Sequence, residues 1–381
     1  MKVLLVTRPI CPPWDEASKN FAYDLACNIK DAEIHLLTYE KLSDLPTNII
    51  QEDIYSEAGL NLNQKYRLYK FLKKADGFDI IHSLFTPTKL NSFLLKRALR
   101  NKPAKIIQTA ATLREDLYSK NDFKKMLFGE LIITYSDYAK EKLEKMGFNN
   151  IKRIYPGIDT LKYSPAPKNF ELAKRFNIDN GDFVINFPGE YTRLGAIDDV
   201  IETFANLISE RKNLKLLLAC RVKNEKDLQK KKEIVGRLKE KNILGRAAFA
   251  DDRNYKMEDI YNLSEIIIFP ARDMRGKFDI PLAIIEAMAC RKPVIASNIK
   301  RLKCFLNNTN SILINTGDRG ALKEKILYLH SNHEARKNLG EKGMQFAIEN
   351  FDVRKIAKEY KEVYRNLTSS SPFIREEKIN K

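Results

Sequence analysis

The sequence lacks a disulfide framework, a metal-ligand pattern and any apolar run able to cross a bilayer. Its five cysteines, Cys11, Cys27, Cys220, Cys290 and Cys304, are scattered and without CxxC spacing. An odd, unpatterned set argues against a stapled secreted scaffold and a zinc site, and for a reducing compartment. Histidine is scarce: His35, His82, His330 and His333 are the whole set, and no pair has metalloprotease spacing. No hydrophobic stretch nears the ~20 residues of a spanning helix. No GxGxxG follows an apolar strand and no acid sits at ribose distance beyond one, which speaks against a dinucleotide-dependent oxidoreductase.

What is present is a charged chain with enough apolar content for real cores. At 381 residues, 44% of them hydrophobic, it favours two domains over one. The formal net charge is +17. Lysines are spread among Glu and Asp, and the densest run, residues 223–241, alternates in sign and reads as a solvated helix face. No nucleic-acid motif accompanies the charge, so the favoured partners are an anionic small substrate and, transiently, an anionic membrane. The apolar start, residues 3–7, is short and runs into a Pro-rich loop, so it reads as a first buried strand, not a signal peptide. The expected setting is the cytoplasm, with peripheral contact at the inner face of the cell membrane.

Short apolar runs alternate with longer helical stretches. Candidate strands are residues 3–7, 34–38, 80–82, 106–109 and 131–134, then 184–187, 214–219, 247–250, 266–269, 294–296 and 311–314. Most are continuously apolar, as in strands covered by helices on both faces of a parallel sheet. The expected class is doubly wound α/β. Three prolines and a glycine between Tyr155 and Pro167 close the first series. The expected domains are 1–160 and 166–345, with an amphipathic helix at 353–367 packing back on the first and a disordered tail at 368–381. Ligands of open α/β sheets bind beyond the carboxyl ends of the strands. This selects loops 8–18, 83–88, 110–114 and 135–137 in the first domain. In the second it selects 188–196, 220–224, 251–255, 270–281 and 298–302.

The most telling stretch runs from Lys277 to Ser297. A loop with Lys277 and Asp279 enters a helix holding Glu286, and an Arg291-Lys292-Pro293 turn feeds a buried strand. Helix N-termini favour phosphate through free N–H groups and the helix dipole. A carboxylate further along reaches a sugar hydroxyl. Such a site suits a sugar nucleotide.

With these residues the chain resembles the family 4 glycosyltransferases, retaining enzymes of the two-Rossmann-domain GT-B type. Glu286 to Cys290 followed by Lys292 to Ala296 resembles the family's signature. Tyr155 to Asp159 resembles its interdomain segment, Tyr261 to Pro270 its helix–strand unit, and Phe187-Pro188-Gly189 the opening of its phosphate loop. The resemblance implies two Rossmann-like domains facing a cleft, and sugar transfer from a UDP- or GDP-linked donor to a glycan or lipid-linked acceptor. It implies no metal and no cofactor beyond the nucleotide-sugar co-substrate. Donor contacts would fall on Gly189, Arg193, Lys277, Ile280, Pro281, Leu282 and Glu286.

The departures are specific. The family's first signature Glu would fall on Phe278, seven residues before Glu286, and Asp279 is the stand-in. Glu190 follows Gly189 where the family has Arg, the wrong sign for a diphosphate. Arg193, with Lys277, Arg272 or Arg275, would supply the cations instead. Asp279, Glu286 and His82 are the candidate catalytic residues. Arg8, Trp14 and His82 are candidates for the acceptor side, since they lie at or near carboxyl ends of strands. The rival reading is a degenerate member that binds nucleotide, glycan or a partner without turnover.

Overall fold

The computed structural model describes residues 1–14, 16–252 and 255–369. The expected tail lies outside these from residue 370 onward, as do Asp15 and part of the 251–255 loop. The chain forms two compact units: residues 1–157 with the segment from Val353 onward, and Ile158–Asp352.

The first unit is a seven-stranded parallel sheet of order β3-β2-β1-β4-β5-β6-β7. The strands are β1 (Lys2–Ile10), β2 (Glu33–Thr38), β3 (Ile49–Asp53), β4 (Ile80–Ser83), β5 (Lys105–Ala110), β6 (Leu131–Thr134) and β7 (Ile151–Arg153). The inner strands are mostly apolar and largely buried, and each fully buried Ile or Leu contributes about 1.5–3 kcal/mol. Two strands lack that signature. β3 and β7 lie at the sheet edges, and their half-exposed, polar sequences give no continuous apolar run. The helices are α1 (Ala17–Asn28), α2 (Leu62–Lys74), α3 (Lys89–Leu99), α4 (Lys120–Met126) and α5 (Asp137–Lys145). Asn61, Thr88, Ser119 and Ser136 cap the last four, each side chain accepting a backbone N–H three residues on. Each such cap is worth about 1 kcal/mol.

The second unit is a six-stranded parallel sheet of order β10-β9-β8-β11-β12-β13. Its strands are β8 (Phe183–Phe187), β9 (Leu214–Leu218), β10 (Ala247–Phe249), β11 (Ile266–Phe269), β12 (Val294–Ser297) and β13 (Ile312–Ile314). Its helices are α6 (Phe170–Arg175), α7 (Ile197–Ile208), α8 (Glu225–Glu240), α9 (Met257–Leu263), α10 (Leu282–Ala289), α11 (Arg319–Ser331) and α12 (His333–Phe351). The last helix, α13 (Val353–Thr368), belongs to the first unit, where it packs on α1 through one apolar face including Ile356, Tyr360 and Tyr364.

Each sheet has a switch point. β1 is flanked by β2 and β4, and β8 by β9 and β11, so successive connections leave in opposite directions. That opens a crevice at the carboxyl ends of β1/β4 and of β8/β11.

Candidate functional site

At the second switch point, β8 ends and the chain turns at Pro188 and Gly189. Only glycine fits position 189, because a Cβ there would fall onto the Phe187 ring. The turn delivers Glu190 to a buried position, only 4% exposed. Three cations converge on it. Lys277 Nζ donates to Glu190 Oε1 at 2.6 Å and Lys223 Nζ to the same oxygen at 2.5 Å. Arg193 Nε lies 3.4 Å from Oε2. Burial alone pushes the Glu190 carboxyl up, but Lys277 and Lys223 outweigh it and hold it at about 2. Burial pulls Lys277 down to about 8, against the pull of Glu190. Both partners are therefore charged between these values. Three cations around one anion leave the cluster net positive.

These groups come from three loops, after β8, β9 and β11. Glu190 is not a misplaced acid; it ties the lysines of the two neighbouring loops together. Lys223 corrects the sequence reading. It precedes α8 and turns inward to Glu190, whereas the solvated face belongs to the helix that follows.

The other expected cations are committed elsewhere. Arg272 makes a bidentate pair with Asp199 at 2.6 and 2.8 Å, and Arg319 meets the same carboxylate at 2.6 Å. Arg275 pairs with Asp273 at 2.5 Å. Asp279 is fully buried, with Arg301 Nε at 3.5 Å from its Oδ1. Arg301 also donates to the Met274 carbonyl at 3.0 Å, so a fourth loop, after β12, pins the loop that carries Lys277.

Pro281 is the N-cap of α10, and Ile280 and Leu282 on either side are buried. Their side chains build the core, so only their backbone could meet a ligand. Glu286 is buried on α10 and accepts a hydrogen bond from Tyr261 Oη at 2.8 Å. Burial raises its pKa, against the hydrogen bonds of Tyr261 and Tyr163. The partner a buried carboxylate needs is thus a tyrosine of α9, which sequence reasoning missed.

In the first unit the geometry corrects one expectation outright. His82 is wholly buried, with Nδ1 2.7 Å from Tyr364 Oη and Nε2 2.8 Å from Thr109 Oγ1. It stacks on Tyr360. Burial holds its pKa down at about 3, so the ring is neutral. Both nitrogens and the ring face are spent joining β4, β5 and α13, which leaves His82 no surface for an acceptor or a catalytic role. Arg8 lies within β1, not in the following loop, and pairs with Glu16. Trp14 is 39% exposed and packs on Tyr23, ring centroids 4.6 Å apart.

Comparison with known proteins agrees with this fold. Residues 182–332 match the family model of the glycosyl transferases group 1. An uncharacterized glycosyltransferase of Methanocaldococcus jannaschii is 28% identical over 362 residues, 91% of this chain and 93% of that protein. The capsular polysaccharide biosynthesis glycosyltransferase CapM of Staphylococcus aureus is 25% identical over 63% of this chain and 60% of its own length. Among solved structures, a glycosyltransferase from Rickettsia africae aligns with TM-score 0.74 and 18% identity, covering 97% of this chain and 99% of that one. Anabaena HepE, in complex with UDP and glucose, aligns with TM-score 0.75 and 15% identity, covering 96% and 99%. Residues 182–332 thus carry the group 1 glycosyl transferase match, and the chain as a whole, with two parallel α/β sheets of GT-B type, is similar to glycosyltransferases in sequence and fold.

Proposed function

We propose that the chain moves a sugar, with retention, from a UDP- or GDP-linked donor to a glycan or lipid-linked acceptor in cell-envelope or glycoconjugate biosynthesis. The observation that carries this reading is the cluster of Lys223, Lys277 and Arg193 around buried Glu190 at the second switch point. A departing nucleoside diphosphate gathers negative charge as the glycosidic bond breaks. Cations fixed in advance stabilise that charge without reorganising during the reaction. Glu190 is a positioning residue: it holds the two ammonium groups together against their mutual repulsion. Lys277 and Lys223 neutralise phosphate, Asp279 and the N-terminus of α10 meet the donor sugar, and Glu286 fixes the ribose. UDP-glucose, seen in HepE, is a fitting first donor to try. The basic surface favours an acceptor that is anionic or membrane-borne.

The test is an assay of nucleotide release from UDP- and GDP-sugars, with and without crude membrane lipid as acceptor. Sugar-dependent release that rises with acceptor supports the proposal. Tight nucleotide binding with no release from any donor replaces it with the non-catalytic reading.

A further inference from the structure

The cluster after β8 contains one group that phosphate neutralisation does not call for, the buried acid at its centre. Lys277 and Lys223 both donate to Glu190 Oε1, at 2.6 and 2.5 Å, and Arg193 Nε lies 3.4 Å from Oε2. A neutral amide oxygen could accept from both ammonium groups without repelling phosphate. What only a carboxylate adds is negative charge. The other charged neighbours do not duplicate it. Arg221 adds to the positive side, where its charge acts on Lys277. Asp227, at the start of α8, accepts from Thr192 Oγ1 at 2.7 Å and from the Lys223 backbone N–H at 3.2 Å. Asp251 pairs with Lys231. Cys220 is neutral, because burial pushes its thiol up.

A sugar nucleotide and the nucleoside diphosphate it leaves behind differ in charge. Each phosphate of the donor carries one negative charge. Transfer breaks the bond between the anomeric carbon and the terminal phosphate oxygen, and the electron pair stays on that oxygen. The acceptor oxygen bonds the anomeric carbon, and its hydroxyl proton leaves to solvent. The freed terminal phosphate holds a second proton only below about pH 6, so at neutral pH the product carries about one more negative charge than the donor. Cations alone therefore grip the product more tightly than the donor, and slow product release limits turnover. A fixed negative charge among the same cations opposes this. A phosphate oxygen resting on the two ammonium groups would lie within about 5–6 Å of Glu190 Oε1. At that range one added ligand charge changes affinity at least about threefold even at the dielectric of water, and more in a half-buried site.

We propose that Glu190 sets the selectivity of this site for sugar nucleotide over free nucleoside diphosphate, its charge weakening the hold on the product more than the hold on the donor. This rests on the donor-site reading above and gives the acid a task beyond tying the lysines together. It also fixes a pH window. Glu190 stays ionised down to about 2 and Lys277 stays charged up to about 8. Between about pH 5 and 7.5 the group that titrates is the terminal phosphate of the product. The contribution of Glu190 is full at pH 7.5 and shrinks as pH falls through about 6, where that phosphate takes up its proton.

The experiment is calorimetric titration of the full chain with UDP and UDP-glucose, and with GDP and GDP-mannose, at pH 7.5 and 5.5. The readout is the ratio of product affinity to donor affinity within the pair that binds. Glu190→Gln should raise this ratio at least about threefold at pH 7.5 and by clearly less at pH 5.5. Lys223→Gln should lower it. The double variant Glu190→Gln/Lys223→Gln, which restores the charge count, should return it toward wild type. If Glu190→Gln does not keep the wild-type melting curve, the double variant measured against Lys223→Gln isolates the Glu190 charge. An unchanged ratio in these comparisons, or the same change at both pH values, overturns the inference and leaves the donor site standing. Failure of both pairs to bind wild type overturns the donor-site reading and this inference with it.

Discussion

The two units share one plan and use its switch point differently. In both, a central parallel strand is flanked by neighbours whose connections diverge. At the carboxyl end of β8 the second unit gathers Glu190, Lys223 and Lys277, a charged cluster with cations to spare. At the carboxyl end of β4 the first unit places His82, a neutral ring sealed beneath α13. A polar residue at a strand's carboxyl end therefore has two fates. Where loops cover the edge it joins a charged cluster between them, and where a distant helix returns over it, it becomes part of the core. The difference lies in what the chain does far away in sequence.

The comparison can be broken from either side. The largest effect should come from Lys223→Ala/Lys277→Ala, which removes both ammonium groups from Glu190. We expect kcat/KM for the sugar nucleotide to fall roughly 10²–10³-fold, the scale of losing a preorganised charge-stabilising donor. Steady-state kinetics on variants of unchanged melting temperature check this. Gly189→Ala comes next. Its Cβ would meet the Phe187 ring, so denaturant unfolding should show a loss of about 2 kcal/mol. His82→Leu should cost about 1–2 kcal/mol of stability by leaving the Tyr364 and Thr109 hydroxyls without their partner. It should leave nucleotide affinity untouched; a selective drop in acceptor-dependent turnover with normal stability would restore His82 to the site.

The smallest effect is in pH. Lys277 titrates near about 8, below an ordinary lysine, so its charge is lost as pH rises through that value. Diphosphate affinity should fall by up to about tenfold per unit above it, and Lys277→Arg should move the fall upward. The folding linkage has its own window. The Glu190 carboxyl is depressed to about 2 from its ordinary value of 4.5, so its stabilisation is present above the ordinary value and fades as pH drops toward 2.

Much of the fold was legible because parallel strands buried on both faces are predominantly apolar, as in β8, β9, β11 and β12. β3 and β7 escaped because a half-exposed edge strand has no such requirement. The site was legible at the level of loops: three of those chosen by the strand-end rule supply the Glu190 cluster, and a fourth supplies Arg301. Individual roles were less so. Glu190 looked like a defect because its sign was judged without its partners. Lys223 was hidden in a run whose alternating charges describe α8 but not the residue before it. For His82, the strand end gave no hint of Tyr364, 282 residues away. The tyrosine that donates to Glu286 left no local mark either.

The most direct test of the account is calorimetric titration of wild type and Lys277→Ala with UDP, GDP and the corresponding nucleosides. The account predicts that wild type binds one nucleoside diphosphate far more tightly than its nucleoside, and that Lys277→Ala loses roughly tenfold or more of that preference, the scale of a charge-assisted phosphate contact. Equal diphosphate affinity in the two proteins would contradict it, leaving the Glu190 cluster a structural clasp with no part in holding the donor.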